Sequence, residues 1–412
     1  MRRLVQVVHG FPPRENAGTE RVASQLAEGI RERGWFVHTL AATREPGATM
    51  YGEREESGVS RLVNNAPYAA VRSAGGDLAA RAWLERKMRE LRPDVVHVHH
   101  LGYLDNAFVS EAPVVWTLHD AWGWCAAGGQ LFREGTACAG PGAACAVCAS
   151  AWAKDGPGVA AALHVAGSLS RFTHPERLHR LWQRLPARLR SAAARGGAPV
   201  SGDQIATRTL HFRTFAQRCA AILAPSRWLA SAAEAQGFGR VEVVPNGVLP
   251  GLPRRGGGGF LFLGTIAEHK GPDLVVEAHR LSGVSRPLRV IGPAGPDAAF
   301  VTRVPHEPPV ADPRDLLSEA HTLVLGSRWP ENAPLVVLEA RAAGCPVIAP
   351  AIGGLPELVT PGVDGWLYTP GDADSLARCI AAAHLAAPLP VRPPPTLGEA
   401  VDATLRVYDR LR

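Results

Sequence analysis

The chain has 412 residues, of which 46% are hydrophobic and 20% charged, and its formal net charge is +6. That length suits two domains or three small ones, and the balance is that of a soluble globular chain rather than a disordered or membrane-embedded one. Only three of the 44 basic residues are lysines (Lys87, Lys154 and Lys270), the arginine bias that GC-rich coding gives; no dense basic block interleaved with aromatics stands out, so no nucleic-acid partner is expected. Leu4 to Val8 is too short and interrupted for a secretory signal, and the charge-free run 135–153 is full of Gly, Pro and Cys, so no transmembrane segment is expected. Seven cysteines without a signal argue against a disulfide framework and for the cytoplasm.

Leu4 to Val8 reads as a buried strand ending in His9-Gly10. A loop to Gly18 follows, then a helix from about Thr19 to Arg33 with Val22, Leu26 and Ile30 on one face, then a strand from Trp35 to Leu40. Strand, glycine loop, helix, strand is the start of a Rossmann-like unit, and Gly18 lets the backbone approach a ligand at the helix start. A helix over Leu78 to Leu91 leads to a strand ending in His99-His100, and Val114 to Leu118 is a second strand ending in His119-Asp120. Histidines at the carboxyl ends of strands lie where open α/β sheets bind ligands.

Residues 121–215 break this rhythm and read as an insertion: a cysteine cluster, then an Arg-rich helical stretch from Arg171 to Arg195, a candidate for peripheral membrane contact. Val241 to Val248, containing Asn246, is expected to close the first sheet, and Pro250 to Gly259 reads as a linker. A second α/β set begins at Phe260 to Gly264, and after the proline-rich linker 388–395 the last helix, Leu397 to Leu411, is long enough to cross back. The domains expected are therefore 1–249, with the insertion at about 121–215, then 250–395, and a helix over 396–412 packing on the first domain.

Within the second set, Ser327 to Ala349 reads as loop, helix, tight turn and buried strand. Pro334 can occupy a first helical turn, and Leu335, Leu338 and Ala342 share one face. Glu331 and Glu339 bracket the helix start; if both were helical they would stand roughly 12 Å apart along the axis. That suits gripping two ends of a nucleotide sugar, with its diphosphate over the N–H groups of the first turn.

From Val241 onward the motifs resemble the family-4 retaining glycosyltransferases. Val244-Pro245-Asn246-Gly247-Val248, Phe262-Leu263-Gly264, His269-Lys270-Gly271, the glutamates at 331 and 339, Gly353-Gly354-Leu355-Pro356-Glu357 and Pro370-Gly371-Asp372 follow in the family's order. The resemblance implies two facing Rossmann-like domains with a central cleft. It implies transfer of a hexose-type sugar from a UDP- or GDP-sugar, without a required metal, to a small-molecule, natural-product or envelope-precursor acceptor. It places Gly18 near the donor diphosphate, His119 by the transferred sugar, Lys270 on the leaving diphosphate, Glu331 on sugar hydroxyls and Glu339 on the ribose. Asn332, Ala333, Pro334 and Leu335 would supply backbone contacts. Thr265 stands where the family usually has an arginine, and Arg328 is expected to substitute for it. A nucleotide-sugar epimerase and a non-catalytic nucleotide-sugar-binding protein stay open as alternatives.

Cys125, Cys138, Cys145 and Cys148 fall within one short stretch, the last two as C-x2-C, half of a zinc knuckle. Structural zinc is the expectation, with free thiols, an iron–sulfur cluster or disulfides as alternatives, and the role structural rather than catalytic.

Overall fold

The computed structural model describes residues 1–45, 47–66, 74–152 and 200–411. The Arg171–Arg195 stretch lies outside them.

The first unit contains β1 (Arg3–Val8), α1 (Gly18–Glu32), β2 (Phe36–Thr43), β3 (Glu53–Glu56), β4 (Val59–Val63), α2 (Leu78–Leu91), β5 (Val95–Val98) and β6 (Val114–Thr117). It continues with the short hairpin β7 (Phe132–Arg133) and β8 (Thr136–Ala137), α3 (Cys145–Trp152), α4 (Gly202–Arg218), β9 (Ala221–Ala224), α5 (Arg227–Ala235) and β10 (Glu242–Val243). Eight strands form one sheet in the order β10-β9-β6-β5-β1-β2-β4-β3, and every pairing is parallel except β3 with β4. Leu4, Val5, Val7 and Val8 are buried on both faces of β1, as a central parallel strand requires.

The second unit contains β11 (Phe260–Leu263), a 3₁₀ turn (Glu268–Lys270), α6 (Pro272–Ser282), β12 (Leu288–Ile291), α7 (Ala298–Val301), α8 (Arg314–Glu319) and β13 (Thr322–Val324). Then come α9 (Leu335–Ala342), β14 (Val347–Pro350), α10 (Leu355–Leu358), β15 (Gly365–Tyr368), α11 (Ala373–Leu385) and α12 (Leu397–Asp409). Its five strands run parallel in the order β12-β11-β13-β14-β15. The chain is α/β: two Rossmann-like units face each other across a cleft, and the C-terminal helix returns to the first.

That return has clear packing causes. Val401, Val407 and Tyr408 of α12 join Leu4, Leu26, Ile30, Val95 and Val115 in one buried cluster. The Tyr408 hydroxyl meets Nδ1 of buried His97, whose Nε2 meets Thr117 Oγ1 at 2.7 Å. At Gly29 an added Cβ would lie 2.5 Å from Val401 Cγ2, so glycine permits this close approach of α1 to α12.

Two expectations need correction. The insertion does not extend to residue 215. Ile205, Phe212, Phe215 and Ala216 of α4 are buried in the main core, and buried Arg208 donates to the carbonyls of Trp122 and Gly123. Helix α9 begins at Leu335 with Pro334 at its N-cap, so Glu331 lies outside the helix and the axial spacing does not apply. The shared face of Leu335, Leu338 and Ala342 does form, packing on Val248 and on Val22 of α1.

Candidate functional site

In a doubly wound sheet the crevice opens where successive connections leave in opposite directions. In the second sheet that point lies between β11 and β13, and in the first between β1 and β5. The loops leaving these four strands all open into a cleft of about 1370 Å³ between the units.

On the second-sheet side, the loop after β11 carries Gly264, Thr265 and the 3₁₀ turn with Lys270, and the loop after β13 carries Ser327 to Glu331. The two loops touch backbone to backbone: a Cβ on Gly271, where φ is +61°, would lie 2.0 Å from Gly326 O. Lys270 Nζ thereby reaches Glu331 Oε1 at 2.7 Å and lies 4.6 Å from the centre of the Trp329 ring. The same oxygen accepts from Trp329 Nε1 at 2.8 Å and Ser327 Oγ at 3.0 Å. Glu331 is buried, so its charge is held by three donors rather than by water. Gly354 N–H donates to Glu331 O at 2.7 Å, which fixes the loop from beneath.

Arg328, expected to substitute for the arginine absent at Thr265, is engaged away from the cleft. Its guanidinium is bidentate on Asp273, with both bonds at 2.8 Å, and also donates to Glu268 O. Arg328 is not among the residues lining the cleft, whereas Thr265 is. The alternation of the loop turns Ser327 and Trp329 inward and Arg328 back toward the start of α6.

The units also meet through hydrogen bonds. Asn332 Nδ2 donates to His119 O at 3.0 Å, and its Oδ1 accepts from Ser226 Oγ at 2.5 Å. Asn246 Nδ2 donates to Ala333 O at 3.4 Å. Arg21 on α1 pairs with Glu339 on α9, and Glu357 accepts from the first N–H groups of α5. Gly18, Asn332, Ala333, Pro334, Leu335 and Glu339 all line the cleft. In the first turn of α9, Val337 N–H donates to Pro334 O at 3.1 Å, while the N–H groups before it have no carbonyl partner inside the helix, which leaves a partial positive charge there.

On the first-sheet side, His9 follows β1, His99 and His100 follow β5, and His119 and Asp120 follow β6. His99 Nδ1 lies 3.0 Å from His119 Nε2, and Gln6 Nε2 lies 3.3 Å from His99 Nε2. With the Gln6 amide as donor, His99 carries its proton on Nδ1 and gives it to His119, whose own proton is then on Nδ1. Burial, with the charge of His9, pushes His119 down to about 4, so it is a neutral imidazole near pH 7. Burial pushes Asp120 up to about 6, against the Trp122 N–H and the charges of His9 and Arg208.

Sequence reasoning passed over Glu20, Trp329 and Arg21. Glu20 had a legible signal, standing two residues after Gly18; Trp329 sits between two residues already singled out. Arg21 and Glu339 are 318 positions apart, so their pairing had none.

Among the described residues, no group of three or more His, Cys, Asp or Glu side chains is arranged to hold a metal ion. The zinc expectation for Cys125, Cys138, Cys145 and Cys148 is therefore without support in this arrangement. The Cys138 thiol donates to Gly140 O at 3.4 Å, and the Cys145 sulfur accepts from Gly142 N–H at 3.2 Å. Burial pushes the thiols of Cys125 and Cys148 above the ordinary range, for Cys148 with the neighbouring Cys125, Cys145 and Cys138 adding to it. None of the seven cysteines is in a disulfide.

Fold and cleft together define the two-lobed α/β architecture of glycosyltransferases. Residues 16–156 match the family described as Glycosyltransferase Family 4, and residues 256–390 match Glycosyl transferases group 1. The chain belongs to the family-4 glycosyltransferases. D-inositol 3-phosphate glycosyltransferase of Mycobacterium avium (strain 104) is 38% identical over 144 residues, 31% of this chain and 34% of that protein. The putative colanic acid biosynthesis glycosyltransferase WcaL of Salmonella typhimurium is 29% identical over 152 residues, 32% of this chain and 36% of that protein. The match thus spans about a third of the length of these relatives. Sucrose-phosphate synthase from Thermosynechococcus elongatus has the same fold, with a TM-score of 0.57 at 16% identity over 100% of this chain and 96% of that one. Anabaena HepE in complex with UDP gives 0.55 at 15% identity over 100% and 98%.

Proposed function

We propose that the protein transfers a hexose from a UDP- or GDP-sugar to a small-molecule acceptor, with retention at the anomeric carbon. The observation that carries this reading is the Lys270–Glu331 pair, held beside the N-terminal turn of α9 at the switch point of the second sheet. As the glycosidic bond breaks, negative charge grows on the leaving diphosphate. A half-buried ammonium and a helix N-terminus aimed at that charge lower the barrier without proton transfer from the protein. Glu331 orients Lys270. Glu339 accepts from the ribose hydroxyls, with Arg21 completing its shell. His119, neutral and fixed by His99, presents a hydrogen bond to the transferred sugar. Gly18 leaves the start of α1 open to the diphosphate, and an added Cβ there would meet nothing within 4 Å. In this reading 1–249 is the acceptor side and 250–395 the donor side, and the chemistry is that of a cytoplasmic biosynthetic enzyme that needs no divalent metal.

The test is a thermal-shift screen against nucleoside diphosphates followed by turnover. UDP or GDP should stabilise the protein, the matching sugar nucleotide should be consumed in the presence of acceptor, and product NMR should show the donor's anomeric configuration. Nucleotide binding without consumption across acceptors would favour a binding protein, and inversion at the anomeric carbon would end the retaining assignment.

A further inference from the structure

The first-sheet wall of the cleft carries charged groups that donor chemistry leaves unused. Glu20, near the start of α1, is 4% exposed, and His9 Nε2 lies 3.0 Å from its Oε1. Burial pushes this carboxyl up, but the hydrogen bond and charge of His9 outweigh it, and Glu20 is held below the ordinary carboxylate range. It is therefore ionised at neutral pH. Its second oxygen, Oε2, is buried without a hydrogen-bond partner among the described residues, and so is His9 Nδ1. An ionised oxygen in that condition lacks what nearly every buried polar atom in a folded protein has. Next to it the rings of His9 and His100 lie 4.1 Å apart, and His100 Nε2 lies 3.9 Å from Asp120 Oδ2. His9, Glu20, His100 and Asp120 all line the cleft.

We propose that Glu20 and Asp120 form the acceptor subsite, and that its ligand is a polyhydroxylated small molecule bearing an ammonium group, an amino sugar or aminocyclitol. The inference rests on the donor reading above, which assigns Gly18 and His119 of this wall to the sugar nucleotide and leaves Glu20 and Asp120 without a part in it. Carboxylates accept hydrogen bonds and give none, whereas an ammonium supplies three donors and no acceptor. Burial pushes His100 well below its ordinary range, so its imidazole stays neutral. A phosphorylated acceptor would instead set its own charge against two carboxylates. Other cations lining the cleft are engaged: Lys270 holds Glu331, Arg314 holds Asp312, and Arg21, next to Glu20 on α1, holds Glu339. Arg208 lies behind the wall, donating to Trp122 O and Gly123 O, and its charge draws on Asp120 without reaching past it. Arg44, over the Tyr103 ring at 5.4 Å, also lines the cleft and is where a phosphate would go if this assignment were wrong.

The full chain, saturated with UDP or GDP, is titrated calorimetrically at neutral pH with glucosamine, streptamine, glucose and glucose 6-phosphate. The amines should bind at least about tenfold more tightly than glucose, and glucose 6-phosphate most weakly. In Glu20→Gln that preference should disappear while nucleotide affinity stays at the wild-type value; Asp120→Asn gives the same reading should Glu20→Gln fold poorly. Equal or tighter binding of glucose 6-phosphate, no binding of either amine, or an undiminished preference in both variants overturns the assignment. If neither UDP nor GDP binds, the donor reading fails instead, and the same titrations without nucleotide still judge the subsite.

Discussion

Lys270 and Glu331 are joined by a 2.7 Å contact whose carboxylate oxygen also takes the Trp329 indole and the Ser327 hydroxyl. The glutamate is thus saturated on one oxygen before any substrate arrives, and the lysine is held over an aromatic face at the mouth of a helix. Lys270→Ala should lower kcat by about 10²–10³-fold, the usual cost of removing one preorganised charge stabiliser. Binding of the free nucleotide should fall much less, because the charge that Lys270 meets grows in the transition state. Glu331→Gln should weaken both catalysis and folding, with about 1–3 kcal/mol lost in denaturant unfolding as Lys270 loses its counter-charge, although an amide oxygen remains for the Trp329 N–H. Equal losses of kcat and nucleotide affinity in Lys270→Ala would place the lysine in ground-state binding.

Arg328→Ala separates a staple from a phosphate ligand. The guanidinium spans Asp273 and Glu268 O and so ties the β13 loop to the turn that carries Lys270. Loss of stability of about 1 kcal/mol is expected, modest because Asp273 is 40% exposed. Turnover should fall through misplacement of Lys270, and Arg328→Lys should not rescue it, because an ammonium cannot reproduce a bidentate fork. Nucleotide affinity should keep its salt dependence. A flatter salt dependence in Arg328→Ala would return this residue to the phosphate.

Glu339 is expected to read the ribose. Glu339→Ala should weaken UDP or GDP binding by about 1.5–3 kcal/mol, the range for hydrogen bonds to a charged group. The same variant should bind the 2′,3′-dideoxy nucleotide as tightly as the wild type does, since that ligand lacks the hydroxyls in question. A loss of equal size for both ligands would show that Glu339 acts by holding Arg21 and the closed cleft.

How far these features could be read beforehand depended on their range along the chain. The parallel sheets, α1 and the returning α12 were legible because burial writes local periodicity: Leu4 to Val8 on two faces, and Leu26 and Ile30 on one. The hairpin of β3 and β4 was not, because Glu53 to Glu56 is wholly charged or polar, and Arg61 is fully buried yet satisfied by Glu56 and by the carbonyls of Phe11 and Pro12. The donor wall was legible as ordered motifs, but the direction of each side chain was not. Arg328 and Trp329 are neighbours in sequence and point to opposite sides of their loop. The Glu20–His9 and Arg21–Glu339 pairs arise only when separate elements meet, and spacing carries no trace of them.

Asp120 should leave a signature in the pH dependence of stability. Burial, opposed by the Trp122 N–H and by His9 and Arg208, pushes its carboxyl from 3.8 up to about 6. Between those values the native protein holds a proton that the unfolded chain has released. Its contribution to stability is therefore present below the unfolded value and is lost as pH rises through about 6. His119 runs the other way: moved from 6.5 down to about 4, it adds stability as pH rises across that window. Wild-type stability mixes the two, but the difference between Asp120→Asn and wild type isolates the carboxylate, because His119 is common to both. Asparagine also keeps an oxygen for the Trp122 N–H, which Asp120 Oδ1 accepts at 2.8 Å. The Asp120 side chain retains 28% of its exposure, so solvent reduces the effect. The unfolding free energy of the variant relative to wild type should accordingly rise by about 1–2 kcal/mol from acid to neutral pH. A flat or falling difference in denaturant unfolding across that range would mean that the cleft solvates Asp120 fully, which would also remove one of the two carboxylates from the acceptor subsite as a desolvated partner.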